Sequence, residues 1–165
     1  MKKTLLIITS MFLIGTTLAM AEVYQTVQGE NAYLGDGRSA NEAGKLDVKE
    51  VGGSTAARVK SNFARWGYIN YWMGIPTPAG PSTIRFRVYK SSEPTAEYKV
   101  YIQTQSGHAY IGDFVVPEVA AEGNYVDVDL PVSQDGEWSG IVLKKASKDE
   151  LPSPWIDTVC VLVDE

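Results

Sequence analysis

Apolar and polar residues alternate along most of the chain after Lys45, and no stretch holds an apolar stripe at helical spacing for three turns. An alternation of period two is typical of strands that bury one face. The pattern predicts nine strands: Lys45–Val51, Ala56–Asn62, Gly67–Ile75, Thr83–Tyr89, Glu97–Thr104, Ala109–Val116, Tyr125–Leu130, Gly140–Lys144 and Trp155–Val163. Segments rich in Gly, Pro, Asp, Asn and Ser separate them. Many short strands at near-regular spacing predict an all-β sandwich or barrel.

The same alternation assigns side chains to faces. In the strand Gly67–Ile75 it places Ile69, Tyr71, Met73 and Ile75 in the core, and Tyr68, Asn70 and Trp72 on the opposite face. The last strand is apolar on both sides, which predicts a central strand with Cys160 as a small buried hydrophobic residue. Residues 31–44 form the least regular segment, for which we expect a long loop containing one short strand.

The N-terminal residues have the features of a secretory signal peptide. Lys2 and Lys3 precede an apolar stretch from Leu5 to Leu18, and small residues follow in Ala19-Met20-Ala21. We expect cleavage after Ala21, which leaves one β-sandwich domain of residues 22–165 in a secreted or periplasmic protein. The apolar stretch is too short, and too interrupted by Thr and Ser, to predict a membrane span.

The net charge of the chain narrows the classes of partner, and its cysteine content limits how the fold can be stabilised. Without Lys2 and Lys3 the chain has 13 basic and 20 acidic residues, a net charge of −7. This charge argues against nucleic acid as a partner, because phosphate binding needs a basic surface. Cys160 is the only cysteine, so stability must come from core packing or a bound ion rather than from an intramolecular disulfide.

The sequence contains no recognisable catalytic motif. His108 is the single histidine and lies in a predicted turn, without the G-x-S-x-G pattern of a serine nucleophile. No Cys and His cluster suits zinc, and no Gly-rich loop suits a phosphate. Two carboxylates could in principle cleave a glycosidic bond, but the pattern marks out no pair among the 20 acids. A non-catalytic protein is therefore favoured.

The stretch "GYINYWMGIPTPAGPSTIRFRVY", residues 67–89, resembles the core signature of secreted carbohydrate-binding modules of the family 6 and family 35 type. The matching positions are Gly67, Tyr71, Pro76, Ala79, Gly80, Arg87 and Val88. "GENA" at 29–32 resembles the opening strand of these modules, and "PWIDTVCVLV" at 154–163 resembles their final strand. The resemblance implies a single jelly-roll β-sandwich with the galactose-binding-like fold.

The resemblance also implies where a sugar would bind, either on loops at one end of the sandwich or on a sheet face. An aromatic ring would stack on the sugar while polar side chains bind its hydroxyls. The candidate ligand-binding residues are Asn62, Arg65, Trp66, Tyr68, Trp72 and Trp155. Many family members have Asn at the position of Trp155, and for each tryptophan a structural role remains an alternative. Trp138 is expected at the edge of the core.

A structural calcium ion is a further implication of the resemblance. In the family it bridges the first and last strands, and hard cations prefer oxygen ligands. The matching residues are Glu30 and Asp157, whereas Gln25 and Gln28 stand where a second acid is usual. The alternative is that Asp157 forms hydrogen bonds within the sandwich.

Three functions follow, in order of preference. The first is a secreted, non-catalytic β-sandwich that binds polysaccharide or glycan through exposed aromatic residues. The second is a stand-alone structural or adhesive protein of the cell envelope or extracellular matrix, with self-association or an envelope protein as its partner. This second function is suggested by the predicted organisation of the chain, in which a signal peptide precedes a single domain. The third is a small polysaccharide-active enzyme.

Overall fold

The computed structural model describes residues 21–118 and 121–163, so the predicted signal peptide lies outside the described residues except for Ala21. These residues form eleven strands: β1 Glu22–Gln28, β2 Tyr33–Leu34, β3 Leu46–Val51, β4 Ser54–Val59, β5 Tyr68–Thr77, β6 Gly80–Tyr89, β7 Tyr98–Thr104, β8 Gly107–Phe114, β9 Tyr125–Gln134, β10 Trp138–Lys145 and β11 Trp155–Val163. A single 3-10 turn, Gly29–Asn31, follows β1. Within the described part of the chain, no helix combines the length and the apolar character needed to cross a membrane.

The strands form two antiparallel sheets, each named here after a central strand. The β11 sheet has the order β3-β4-β11-β6-β9, with β1 also paired to β11. The β10 sheet has the order β2-β5-β10-β7-β8. Their facing sides supply the buried core, in which the rings of Tyr71 on β5 and Phe86 on β6 meet at 6.4 Å between centroids. The predicted all-β sandwich is confirmed.

Strand β11 occupies the central position that its two apolar faces predict. It pairs with β6 along one edge, while β1 shares the other edge with β4, which pairs at Ile156 near the start of β11. Cys160 is half-buried rather than buried, and this partial burial raises the pKa of its thiol.

The opening strand lies upstream of its predicted position. Residues 29–31 form the 3-10 turn, and the strand that pairs with β11 is β1. Gly29 packs so closely on the β11 backbone that a Cβ there would clash with the carbonyl oxygen of Ile156. The alternation missed β1 because Gln25, Thr26 and Gln28 interrupt its apolar pattern. The short strand expected within residues 31–44 is β2.

The prediction for Ile75 is wrong, since its side chain is 53% exposed. Gly140 of β10 pairs with Trp72, but Trp138 pairs with Thr77, so four residues of β5 lie opposite one residue of β10. This bulge breaks the alternation of β5 after Met73, which leaves Ile75 outside and buries Thr77. A bulge cannot be seen in the alternation of one strand, because it depends on the partner strand.

Candidate functional site

The outer face of the β10 sheet carries a surface groove of about 430 Å³. Its lining includes Tyr68, Asn70 and Trp72 of β5, together with Gln103, His108 and Trp138 from the neighbouring strands. We call it the outer groove. Its size suits a small ligand or a segment of a longer polymer.

The register of the sheet forms the floor of the outer groove. Gly140 of β10 lies between Trp72 of β5 and Gln103 of β7, and Gln103 in turn faces His108 of β8. A Cβ at Gly140 would contact Trp72 Cε3 at 3.4 Å and the Cβ of Gln103 at 3.5 Å. The glycine therefore leaves a depression between larger side chains in the middle of a central strand.

Aromatic rings form much of the wall. The Trp72 side chain is 43% exposed. Across the face, the rings of Tyr68 and His108 meet edge to face, with centroids 5.5 Å apart. An exposed indole beside polar groups is the arrangement that buries the apolar face of a sugar ring and leaves its hydroxyls to form hydrogen bonds.

Two lining residues each contain a buried polar atom that has no hydrogen-bond partner in the described protein. The two atoms are Asn70 Oδ1, in a residue 6% exposed, and Trp138 Nε1, in a residue 1% exposed. A buried polar group without a partner costs about 1–3 kcal/mol. One of these atoms is a hydrogen-bond acceptor and the other a donor, and both lie beneath the accessible surface of the groove.

The structure brings Tyr68 and Trp72 together in the outer groove, on the face that the alternation predicts. Asn70 shares that face, but it is almost fully buried, because it lies in the sheet between Tyr33 of β2 and Val142 of β10. Its burial turns a predicted surface amide into a polar group in the floor of the groove.

The other predicted loop residues lie before β5 and outside the lining of the outer groove. Trp66 is 50% exposed, and Asn62 and Arg65 are exposed as well. The Arg65 guanidinium carbon lies 4.6 Å from the centroid of the Trp66 ring, within the range of a cation–π contact. Of the three, Arg65 and Trp66 contact each other.

Trp155 does not offer the accessible ring that a ligand-binding role requires. Its side chain is 3% exposed, with Lys49 Nζ at 4.2 Å and the Arg58 guanidinium carbon at 4.4 Å from the ring centroid. Two cationic side chains cover the indole, and this corrects the sequence-based assignment of Trp155 to the site. Trp155 therefore has a structural role, which was the alternative to ligand binding for each tryptophan.

Several groove residues were missed by sequence reasoning. Gln103 faces outward in the alternation of its strand, but nothing in the sequence places it beside Trp72. The sequence marks His108 only as the single histidine, and it predicts Trp138 only as a core-edge residue, which the burial of Trp138 confirms. Their convergence depends on pairing between distant strands, which one sequence does not specify.

Glu30 and Asp157 match a calcium site only in part. Glu30 Oε2 is buried without a hydrogen-bond partner, as expected of an oxygen that could bind a cation. Asp157 is 3% exposed and already accepts a hydrogen bond from Ser54 Oγ at 2.6 Å, with Arg87 Nε at 3.4 Å from its second oxygen. Among the described residues, no three His, Cys, Asp or Glu side chains group as metal ligands. Calcium binding by Glu30 and Asp157 stays a prediction.

Comparison with solved structures finds the same architecture in sugar-binding proteins. The C-terminal family 6 carbohydrate-binding module of the laminarinase LamC from Zobellia galactanivorans is 16% identical, with a TM-score of 0.56 over 84% of this chain and 98% of that one. The module CBM6cm-2 of Cellvibrio mixtus lichenase 5A, solved in complex with cellotriose, is 12% identical, with a TM-score of 0.56 over 87% of this chain and 100% of that one.

The fold is that of carbohydrate-binding modules. A family 35 module from Paenibacillus barcinonensis is also similar, at 13% identity and a TM-score of 0.52, covering 84% of this chain and 98% of the module. No protein-family model matches the chain, and no curated protein matches it either. The resemblance carried by residues 67–89 is confirmed at the level of the fold.

Proposed function

We propose that this domain is a non-catalytic carbohydrate-binding module that binds polysaccharide or glycan in the outer groove. One observation carries the proposal: the exposed ring of Trp72 lies in the same groove as the polar side chains of Gln103 and Gln105. A stacking ring with a few convergent polar atoms is what a sugar site requires. The fold shared with carbohydrate-binding modules supports the same function.

The lining of the outer groove supports binding rather than cleavage. Among the described residues that line it, Glu137 is the one carboxylate. Most glycosidases need two carboxyl groups on opposite sides of the scissile bond. The ring of the groove residue His108 packs against the Tyr68 ring in a T-shaped contact. This arrangement favours a ligand that is held without being cut.

Affinity electrophoresis of residues 22–165 in gels that contain individual polysaccharides tests the proposal. We expect at least one polysaccharide to retard the protein, and Trp72→Ala to weaken that binding by about thirtyfold, the loss of a central aromatic contact worth roughly 2 kcal/mol. Val48→Ala, at an exposed residue on the edge strand of the other sheet, is the control and should bind like the parent. Equal retardation of all three proteins would overturn the assignment of the groove.

We also propose that the protein is exported after cleavage of residues 1–21. The support is the charged, apolar and small-residue order of this segment. N-terminal sequencing of the exported protein should begin at Glu22. Protein retained in the cytoplasm with Met1 intact would contradict the proposal.

A structural calcium ion at Glu30 and Asp157 is proposed on the resemblance and on the unpartnered Glu30 oxygen. Binding to the folded state alone raises stability. The melting temperature should therefore be higher in calcium chloride than in EDTA, and Glu30→Gln should remove the difference. The same melting temperature in both buffers would show that Ser54 and Arg87 alone satisfy Asp157.

A further inference from the structure

We propose that Arg65, Trp66 and Lys144 form an anion-binding subsite beside the outer groove, so that the preferred glycan is acidic and carries carboxylate or sulfate groups. The inference rests on the proposed function, because it names the class of glycan that the same surface would bind. We call these three residues the cationic subsite.

The cationic subsite adjoins the outer groove across the face of the β10 sheet. Lys144 of β10 is paired with Tyr68 of β5, a residue that lines the groove. Lys144 Nζ lies 5.4 Å from the ring centroid of Trp66 and 5.8 Å from that of Tyr101. The Tyr101 ring is 6.5 Å from His108, which is also in the lining. A chain of sugars in the groove could therefore extend onto the subsite.

The positive charges of Arg65 and Lys144 are available to bind an anionic ligand. Within the described chain, neither Arg65 nor Lys144 has an acidic side chain at ion-pair distance, whereas Lys99 on the same face lies 3.8 Å from Asp113. Arg65 donates Nε to the carbonyl oxygen of Ala146 at 3.1 Å, which holds the side chain in place and leaves its terminal nitrogens to donate elsewhere. The Arg65 guanidinium and the Lys144 ammonium group both lie within cation–π distance of the Trp66 ring, and both are suited to carboxylate or sulfate oxygens.

The backbone of Trp66 gives independent support. Its φ of 64° makes it the only non-glycine residue with positive φ among those described. The left-handed region costs a bulky residue about 1–2 kcal/mol, and such strain concentrates at ligand-binding positions. Hydrogen bonds from Trp66 N to Lys145 O and from Lys145 N to Gly67 O, both 3.0 Å, fix the conformation. The half-exposed ring lies within cation–π distance of both Arg65 and Lys144, which keeps the two cationic groups close to one exposed aromatic surface.

Charges of opposite sign also lie near the two ends of β10. Glu137 lines it just before the start of β10, and Lys144 lies seven residues further on, roughly 23 Å along an extended strand. A ligand carboxylate or sulfate would be repelled at the Glu137 end and attracted at the Lys144 end. Acidic sugar units should therefore bind with their charge over the cationic subsite.

The test is the electrophoresis panel with its polysaccharides divided by charge. Polygalacturonate and alginate supply carboxylates, and carrageenan and dextran sulfate supply sulfates. Fully methyl-esterified pectin, laminarin and dextran are the neutral members. We expect acidic polymers to bind at least about tenfold more tightly than neutral ones, with binding that weakens as sodium chloride rises from 50 to 500 mM. Retention of the carboxylated or of the sulfated polymers shows which of the two anionic groups the cationic subsite binds.

Lys144→Gln and Arg65→Gln should each lower the affinity for the retained acidic polymer by about three- to tenfold, as the loss of a charge-assisted contact does. Lys45→Gln makes the same charge change next to an edge strand of the other sheet and should have no effect. If only neutral polymers bind, or if both variants bind like the parent, the inference fails while the proposed function stands. If no polymer is retained, the proposed function fails and the inference fails with it.

Discussion

Gly140 is a residue whose effect on ligand binding can be measured separately from its effect on folding stability. It lies in the middle of a central strand, where most residues would carry a side chain into the space between Trp72 and Gln103. Its φ is not positive, so its backbone does not require glycine. A Cβ there would be in ordinary van der Waals contact, which leaves the shape of the groove as the reason for the glycine.

Gly140→Ala and Gly140→Leu should therefore behave differently. The alanine variant should keep its free energy of unfolding or gain up to about 1 kcal/mol, because alanine loses less backbone entropy on folding. The leucine variant should fold, but its side chain should fill the groove floor and lower polysaccharide affinity by at least about tenfold through direct exclusion. Urea denaturation and affinity electrophoresis measure the two effects. Unchanged affinity of the leucine variant would place the ligand elsewhere.

Lys145 is the residue for which we expect the largest loss of stability. Its side chain is 0% exposed, and Nζ donates to Leu151 O at 3.1 Å and to Ser61 O at 3.4 Å, with Asp149 at 3.8 Å. Lys145→Met leaves those oxygens without their donor and should lower the free energy of unfolding by about 2–4 kcal/mol.

Lys144→Met is the matched control, since the neighbouring lysine projects from the outer face. Its effect on stability should stay within about 0.5 kcal/mol. Urea denaturation of both variants makes the comparison. Similar stabilities would show that the buried ammonium group contributes nothing to joining the loops around Ser61 and Leu151.

At the scale of elements, β1 links the two sheets. It pairs with β11, but the Gln25 side chain accepts a hydrogen bond from Ile75 N at 3.2 Å and donates one to Ile75 O at 2.6 Å. The Tyr24 hydroxyl donates to Pro76 O at 3.1 Å. These bonds hold the bulged end of β5, which follows Trp72 and contributes Pro76 to the groove.

Gln25→Ala should therefore loosen the end of β5. Loss of two hydrogen bonds to the backbone should lower the free energy of unfolding by about 1–2 kcal/mol. It should also speed hydrogen exchange at the Ile75 amide, which the Gln25 side chain protects. Gln28→Ala, at an exposed residue of the same strand, serves as control. Unchanged exchange at Ile75 would contradict the role given to β1.

The sequence predicts the fold more completely than it predicts the site, and the reason is physical. A strand of period two shows its buried face locally, so β3 to β11 were found within a few residues of their ends. The bulge in β5 was missed because it depends on how β10 pairs with β5. Trp72 and Trp155 are chemically identical, and only the positions of Lys49 and Arg58, on distant strands, decide which indole is covered.

For the whole molecule, the β11 sheet completes the sandwich core and the outer face of the β10 sheet carries the groove. The tryptophans divide accordingly: Trp72 and Trp138 line the outer groove, Trp66 belongs to the cationic subsite and Trp155 is covered by cations. Each indole N–H gives its own nuclear magnetic resonance signal. One spectrum therefore reports on all four locations.

The most direct measurement is a titration of ¹⁵N-labelled residues 22–165 with oligosaccharides cut from a retained polysaccharide. The account predicts that the Trp72 indole signal shifts because its exposed ring stacks on the sugar, and that the Trp138 signal shifts because this residue lines the same groove. The Trp155 signal should stay in place. A shift of Trp155 while Trp72 and Trp138 remain unchanged would contradict the account and place the sugar on the loops at the end of the sandwich.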